Sequence, residues 1–355
     1  MTDAPPAPTP AAQPGPAKQS LLSVTDLTIG FKTEDGLVQA VRGLDLDVDP
    51  GEVVAIVGES GSGKSVTAMS LLQLLPPTAT IEGDVLWRGE DLLTAKQSRI
   101  QEVRGGEISV IFQDPLSALN PVYKIGRQIE EMVLAHQKVS KKQARARAIE
   151  MLGLVGIPQP ERRVDQYPHE FSGGMRQRAM IAMALANEPD LIIADEPTTA
   201  LDVTVQAQVL ELLVDLSQRL STAVVLITHD LGVVAGMADR VVVMYAGRVA
   251  QRGTVDEIFD ATSHPYTAGL LRSLPRLDAE IDEPLVPIGG QPPSMLNPPS
   301  GCAFHPRCPF ANEAAGCMTT IPDLVVRSET GHASACLRVE YLLEKGLLDR
   351  SGVNQ

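Results

Sequence analysis

Gly58-Glu59-Ser60-Gly61-Ser62-Gly63-Lys64-Ser65 fits the pattern G-x-x-x-x-G-K-[ST], and its residue types suit one task, wrapping a backbone around phosphate oxygens. Glycines allow close approach, successive N–H groups and a helix N-terminus supply partial positive charge, Lys64 neutralises β- and γ-phosphate charge, and Ser65 can ligate Mg²⁺. A chance Gly/Ser turn is the alternative, and it requires neither the lysine nor a flanking strand and helix. Gly58, Ser60, Gly61, Ser62, Gly63, Lys64 and Ser65 are therefore the candidate phosphate cradle.

Leu191-Ile192-Ile193-Ala194-Asp195-Glu196 is an apolar run ending in two carboxylates, a costly arrangement unless something cationic lies at its tip. Mg²⁺ is the natural cation. Asp195 would hold it through water, and Glu196, beyond the γ-phosphate, would polarise the attacking water as general base. Taken alone, the two acids read better as solvated caps of a strand; the phosphate loop upstream reverses the preference.

The elements that must position these groups are visible in the hydrophobic pattern. Leu21 to Pro50 alternates around a Thr33-Glu34-Asp35-Gly36 turn, and Val53 to Val57 is a fully apolar strand leading into the loop. Ser65 to Leu75 has helical composition and stops at Pro76-Pro77, and strand-like runs follow at Asp84 to Trp87 and Ile108 to Phe112. From about Tyr123 to Ala186 there is no convincing strand, and Lys141 to Leu154 reads as amphipathic helix, so a helical insertion separates the sheet-forming halves. Strands at Leu191 to Ala194, Ala223 to Thr228 and Val241 to Tyr245, with a helix at Val203 to Leu220, complete a largely parallel sheet flanked by helices. Beyond Leu274, Pro275, Pro284, Pro287, Pro292, Pro293, Pro298 and Pro299 mark an irregular stretch leading to the cysteines.

Composition narrows the classes. A chain of 355 residues, 44% hydrophobic, can bury a large domain and an appendage. Its formal net charge of −14 argues against broad binding to nucleic acid or anionic lipid, which relies on clustered Lys and Arg. No apolar run approaches the roughly 20 residues of a membrane span; the longest, Val224 to Ile227 and Leu191 to Ala194, have strand length. The Pro- and Ala-rich start does not read as a secretory signal and is expected to be a disordered tail. All four cysteines, Cys302, Cys308, Cys317 and Cys336, lie in the last sixth of the chain, which favours a cytoplasmic protein.

Phe171-Ser172-Gly173-Gly174-Met175-Arg176-Gln177-Arg178 resembles the signature motif of ABC (ATP-binding cassette) ATPases. Gln113 after Val110-Ile111-Phe112, Ala200-Leu201-Asp202 after the two carboxylates, and His229 after the strand Val224 to Thr228 stand where that family has its Q-loop, D-loop and switch histidine. Met175 departs from the family's commoner Gln. The resemblance implies an α/β fold: a P-loop NTPase nucleotide-binding domain with a parallel-sheet core, an antiparallel β subdomain and a helical subdomain, followed by a small irregular C-terminal domain. The expected boundaries are a tail at 1–20, the nucleotide-binding domain at 21–262 with its helical subdomain at about 122–186, the extension at 263–345 and a tail at 346–355. It also implies roles. Ser172, Gly173, Gly174 and Asp202 would meet ATP held by the P-loop of a second subunit; Gln113 would reach Mg²⁺ or the attacking water; His229 would contact the γ-phosphate. Phe31 is either the residue that stacks on adenine or a half-buried core residue.

His264-Pro265-Tyr266-Thr267 and Gly301-Cys302-Ala303-Phe304-His305-Pro306-Arg307-Cys308-Pro309 look like the C-terminal extension of oligopeptide and dipeptide (Opp/Dpp) importer ATPases, a branch that also handles nickel, glutathione and other small solutes. The spacing C-x5-C-x8-C-x18-C is irregular for a zinc ribbon. Similar tails can hold a [4Fe–4S] cluster; Zn²⁺ and free buried cysteines are the other readings. The implied function is transport-coupled ATP hydrolysis with Mg²⁺, at the cytoplasmic face of the membrane, alongside a second ATPase that is a paralogue in a heterodimer, two transmembrane permeases and an extracytoplasmic solute-binding protein, and without nucleic acid. The rivals are an ABC ATPase serving DNA repair or translation, a P-loop GTPase or small-molecule kinase, and a nucleotide-binding module without turnover. The first usually carries a coiled coil or two cassettes in one chain, the second leaves Ser172-Gly173-Gly174 and His229 unexplained, and intact Lys64, Glu196 and His229 argue against the third.

Overall fold

The computed structural model describes residues 20–198, 202–274 and 287–348. Most of the N-terminal tail, Ala200 and Leu201 of the D-loop, Pro275 and Pro284, and residues 349–355 lie outside the described residues.

The alternating opening segment forms a hairpin, β1 (Leu22–Thr33) and β2 (Gly36–Val48), closed at the Thr33↔Gly36 pair. Next comes β3 (Val53–Val57), buried at all five positions. The helix after the loop, α1 (Lys64–Leu71), is shorter than its apolar composition suggests. Gln73 takes a left-handed φ of 52°, and Arg104 donates to the carbonyl oxygens of Leu72 and Gln73 at 2.8 and 2.9 Å, so the last turn is used up before the prolines. β4 (Ala79–Trp87) and β5 (Glu90–Asp91) complete an antiparallel sheet of order β2-β1-β4-β5. α2 (Gln97–Val103) and β6 (Ile108–Ile111) lead to the helical subdomain. Its helices are α3 (Pro115–Ala118), α4 (Ile125–His136), α5 (Lys141–Leu154), α6 (Pro160–Arg163) and α7 (Gly173–Leu185). Ser140 begins α5 with a reciprocal capping box to Gln143.

The second half returns to the sheet through β7 (Leu191–Asp195), α8 (Val203–Leu220), β8 (Ala223–Thr228), α9 (Leu231–Val234), β9 (Arg240–Tyr245) and β10 (Arg248–Thr254). Then follow α10 (Val255–Phe259), α11 (Pro265–Arg272), the short strands β11 (Val325–Val326) and β12 (Ala333–Ser334), and α12 (Val339–Glu344). The main sheet has order β11-β12-β10-β9-β3-β8-β7-β6, parallel from β9 to β6.

The parallel strands read as continuous apolar runs because both faces are covered. In β7, Ile192 and Ala194 enter the core shared with the helical subdomain, while Leu191 and Ile193 enter the core beneath the antiparallel sheet, the two-residue period of a strand. Burying each such Leu or Ile contributes about 1.5–3 kcal/mol. The C-terminal extension joins this body: β12 pairs with β10 at Gln251↔Ser334, and Phe304 packs on Tyr245 and Tyr266 with ring centroids 5.2 and 5.4 Å apart.

Candidate nucleotide-binding site

β3 delivers the phosphate loop and α1 receives it. Two glycines fix its path. Gly58 has φ 157°, with Met244 O 2.2 Å from where a Cβ would stand; Gly63, the N-cap of α1, has φ 103° and Ala40 O at 2.5 Å. Lys64 is 4% exposed, and its Nζ donates to the carbonyl oxygens of Gly58 and Glu59 at 2.8 and 3.0 Å. Burial lowers its pKa, opposed by Glu196, Asp195 and Glu59. Ser62 Oγ is buried without a hydrogen-bond partner among the described residues, which fits a loop whose donors answer to a phosphate.

At the tip of β7, Asp195 is 5% exposed and accepts a hydrogen bond from Ser65 Oγ at 2.8 Å. Burial raises its pKa, with the Ser65 hydrogen bond opposing. One carboxylate beside one hydroxyl, open to a polyphosphate, is a donor set suited to Mg²⁺, which keeps most of its shell for water and phosphate oxygens. Glu196 follows with a left-handed φ of 44° and its N–H on Ile227 O at 2.9 Å. That turn brings its carboxylate to Gln113, whose Nε2 donates to Oε2 at 3.0 Å, and to His229, whose Nδ1 is 3.5 Å from the same oxygen. The loop, Gln113, Glu196 and His229 line one cleft of about 670 Å³.

Ser172, Gly173, Gly174, Asp202 and Phe31 do not line that cleft. Ser172 is the exposed N-cap of α7, accepting from Met175 N at 3.3 Å, and Asp202 is the exposed N-cap of α8, accepting from Val205 N at 3.0 Å. Phe31 is half-buried against the core of the antiparallel sheet.

Sequence reasoning missed the loop's partners from the C-terminal region. Leu270 of α11 joins the lining of the cleft, Tyr266 Oη accepts from Glu59 N at 2.9 Å, and Arg307 makes a bidentate ion pair with the Glu59 carboxylate at 2.6 and 3.0 Å. Only the placement of an arginine inside the cysteine segment could have drawn notice.

Cys302, Cys308, Cys317 and Cys336 line a single small cavity of about 20 Å³ with Phe304 and Phe310. Burial pushes the Cys308 thiol up to about 12 and the Cys336 thiol up to about 11, and raises that of Cys302. Among the described residues, no group of three or more His, Cys, Asp or Glu side chains is gathered as a metal site. The expectation of an iron–sulfur or zinc ligand set therefore meets convergence of four thiols on one cavity, but not metal-ligand packing. A zinc ion, about 2.3 Å from each sulfur, would require that packing.

Among known families, the ABC transporter pattern matches residues 41–199 and the oligopeptide/dipeptide transporter C-terminal region matches residues 252–317. The oligopeptide transport ATP-binding protein OppD of Bacillus subtilis is 57% identical over 293 residues, 82% of each chain. The dipeptide transport ATP-binding protein DppD of the same organism is 51% identical over 332 residues, 93% of this chain and 98% of that one. Among solved structures, the dimeric post-hydrolysis state of the ATP-binding cassette MJ0796 bound to ADP and Pi aligns with a TM-score of 0.59 at 29% identity, covering 66% of this chain and 98% of that chain.

Proposed function

The chain belongs to the ATP-binding subunits of oligopeptide and dipeptide ABC transporters, and from that membership we propose that it powers uptake of short peptides by hydrolysing MgATP at sites completed by a second cassette. The observation that carries the reading is the single cleft in which the phosphate loop meets Gln113, Glu196 and His229, while Ser172 and Gly173 stand exposed on the same chain outside it.

In this mechanism Lys64, Ser62 and the loop N–H groups bind the β- and γ-phosphates, and Ser65 and Asp195 would hold Mg²⁺, which would supply positive charge to offset that developing on the transferred phosphoryl. Glu196 accepts the proton of the attacking water. Gln113 and His229 fix its carboxylate in place, and His229 also faces the γ-phosphate. Ser172, Gly173, Gly174 and Asp202 bind the nucleotide held by the partner cassette, so ATP closes the dimer and hydrolysis permits reopening. Phe31, packed against the sheet core and partly exposed, is the residue that would stack on adenine. The helical subdomain at about 122–186, reached from Gln113, carries the movement to two permease subunits. The second cassette is a paralogue, and a solute-binding protein on the far side delivers peptide. No helix among the described residues is long and apolar enough to cross a membrane, and the chain sits at the cytoplasmic face through its permeases. The domain boundaries follow as 21–262 for the cassette and 263–345 for the extension.

The cysteine cavity is read as the seat of a four-thiolate group, a [4Fe–4S] cluster before Zn²⁺. What supports this is the convergence of all four thiols on one apolar pocket, four being the number of cysteines that hold such a cluster. Metal and sulfide content of anaerobically purified protein tests it.

For the main reading, the chain is purified with the membrane proteins it retains, and Mg²⁺-dependent ATPase activity and peptide uptake are measured in proteoliposomes. Two multi-spanning partners with uptake that depends on ATP support it. Robust turnover by the lone chain, with no membrane partner, would instead make it a non-transport ATPase.

A further inference from the structure

The second residue of the phosphate loop is held by the C-terminal extension. Every polar group of Glu59 is engaged: its carboxylate takes both Nη atoms of Arg307, its N–H donates to Tyr266 Oη at 2.9 Å, and its carbonyl receives Lys64 Nζ at 3.0 Å. Arg307 is fixed in turn. Its side chain is 5% exposed, Nε donates to Gly289 O at 2.9 Å, Nη2 reaches Ile288 O at 3.3 Å, and the guanidinium lies over the Tyr245 ring, 5.8 Å from its centroid. Tyr245 and Tyr266 are themselves packed together at 4.6 Å. A planar guanidinium matched to a carboxylate in this way is a rigid clamp that a lysine could not reproduce.

The location gives the clamp a consequence. Glu59 is a negative charge inside a loop built to hold a polyanion. Uncompensated, it would repel the phosphates at short range in a partly buried setting, where charges are weakly screened. We propose that Arg307 is a positioning residue of the ATPase: it cancels the Glu59 charge and fixes the loop from the C-terminal extension, so that this extension sets the chain's affinity for MgATP. The inference rests on the phosphate loop being the nucleotide site. Arg307 ends the short 3₁₀ turn His305–Arg307 and directly precedes Cys308, so a rearrangement of the cysteine segment is transmitted to the loop through this ion pair, alongside the contact of Phe304 with Tyr266.

The test compares Arg307→Gln, Glu59→Gln and the double substitution, by equilibrium MgATP binding to the full chain and by KM and kcat in the assembled transporter. Wild-type binding is the control: if wild type does not bind MgATP, the nucleotide-site reading itself falls. With binding present, Arg307→Gln is expected to raise Kd and KM at least about tenfold, the order expected for one uncompensated charge near the phosphates, with kcat changed far less. Glu59→Gln, which leaves the Arg307 charge uncompensated beside the phosphates, is expected to lower them, and adding it to Arg307→Gln should return Kd to within a few-fold of wild type. A purely structural role would instead leave the double variant as weak as the single. Equal Kd in Arg307→Gln and wild type, or no recovery in the double variant, overturns the proposal. Should Arg307→Gln fail to fold, Glu59→Gln in the presence of Arg307 decides: a tenfold loss of affinity there contradicts the charge argument.

Discussion

Ser65, the second residue of α1, donates a hydrogen bond to Asp195 at the end of β7, Oγ to Oδ1 at 2.8 Å, across 130 residues of sequence. The contact ties the phosphate loop to the strand that ends in Asp195 and leads directly into Glu196, and it places a hydroxyl and a carboxylate side by side where a metal-bound phosphate would come. Asp195→Asn keeps the shape and removes the charge. Its Mg²⁺-dependent ATPase rate is expected to fall about 100-fold or more, with a higher Mg²⁺ concentration needed for half-activity. A Mg²⁺ titration of turnover checks this; an unchanged titration curve would remove Asp195 from the metal site.

Glu196 shares one carboxylate oxygen between Gln113, at 3.0 Å, and His229, at 3.5 Å. Such anchoring suits a base that must face one water. Glu196→Gln should reduce hydrolysis by about 10²–10⁴-fold while MgATP still binds, so closed dimers accumulate. Single-turnover kinetics and size-exclusion with ATP distinguish this from lost binding. Turnover at the wild-type rate would mean that another group takes the proton.

The parts legible from the sequence were those whose causes are local. A buried apolar run, a glycine-rich loop and a helix follow one another from Val53 to Leu71, and each is dictated by residues within a few positions. β10 had no such signature: Gln251, Arg252 and Gly253 break its apolar run, and its hairpin turn hides in Ala246-Gly247, whose φ values of 48° and 76° form the left-handed pair favoured between antiparallel strands. Glu59 and Arg307 lie 248 residues apart, and the chain between them carries no pattern that would align one with the other. Ser172 and Asp202 were readable as motif residues, yet the structure shows them as helix N-caps; the role proposed for them needs the phosphate loop of a second cassette.

Glu107 joins the subdomains at the start of β6. Arg99 of α2 forms an ion pair with it, and Trp87 Nε1 of β4 donates to its Oε2 at 2.6 Å. The Arg99 hydrogen bond, aided by Trp87, holds the Glu107 pKa below its ordinary value against the opposing effect of burial. A carboxylate with a lowered folded pKa stabilises the protein above the unfolded value, about 4.3, and that contribution is lost as pH falls through the folded pKa. Glu107→Gln is therefore expected to cost about 1–2 kcal/mol at pH 7 and to flatten the acid side of the stability profile. Chemical denaturation at pH 7 and at successively lower pH measures both; parallel profiles for the two proteins would contradict the assignment.

Gly63 and Gly61 separate two kinds of cost within the phosphate loop. Both are left-handed, at φ 103° and 77°, but a Cβ on Gly63 would stand 2.5 Å from Ala40 O of β2, whereas one on Gly61 would meet nothing within 4 Å. Gly61→Ala adds only the strain of an L-residue in that region, about 1–2 kcal/mol. Gly63→Ala adds the same strain and must also push β2 away from the start of α1, so a loss of about 3–5 kcal/mol is expected. Thermal or urea unfolding of the two variants side by side isolates the clash as their difference. Equal losses would mean that β2 yields freely and that the glycine at position 63 is required for its φ alone.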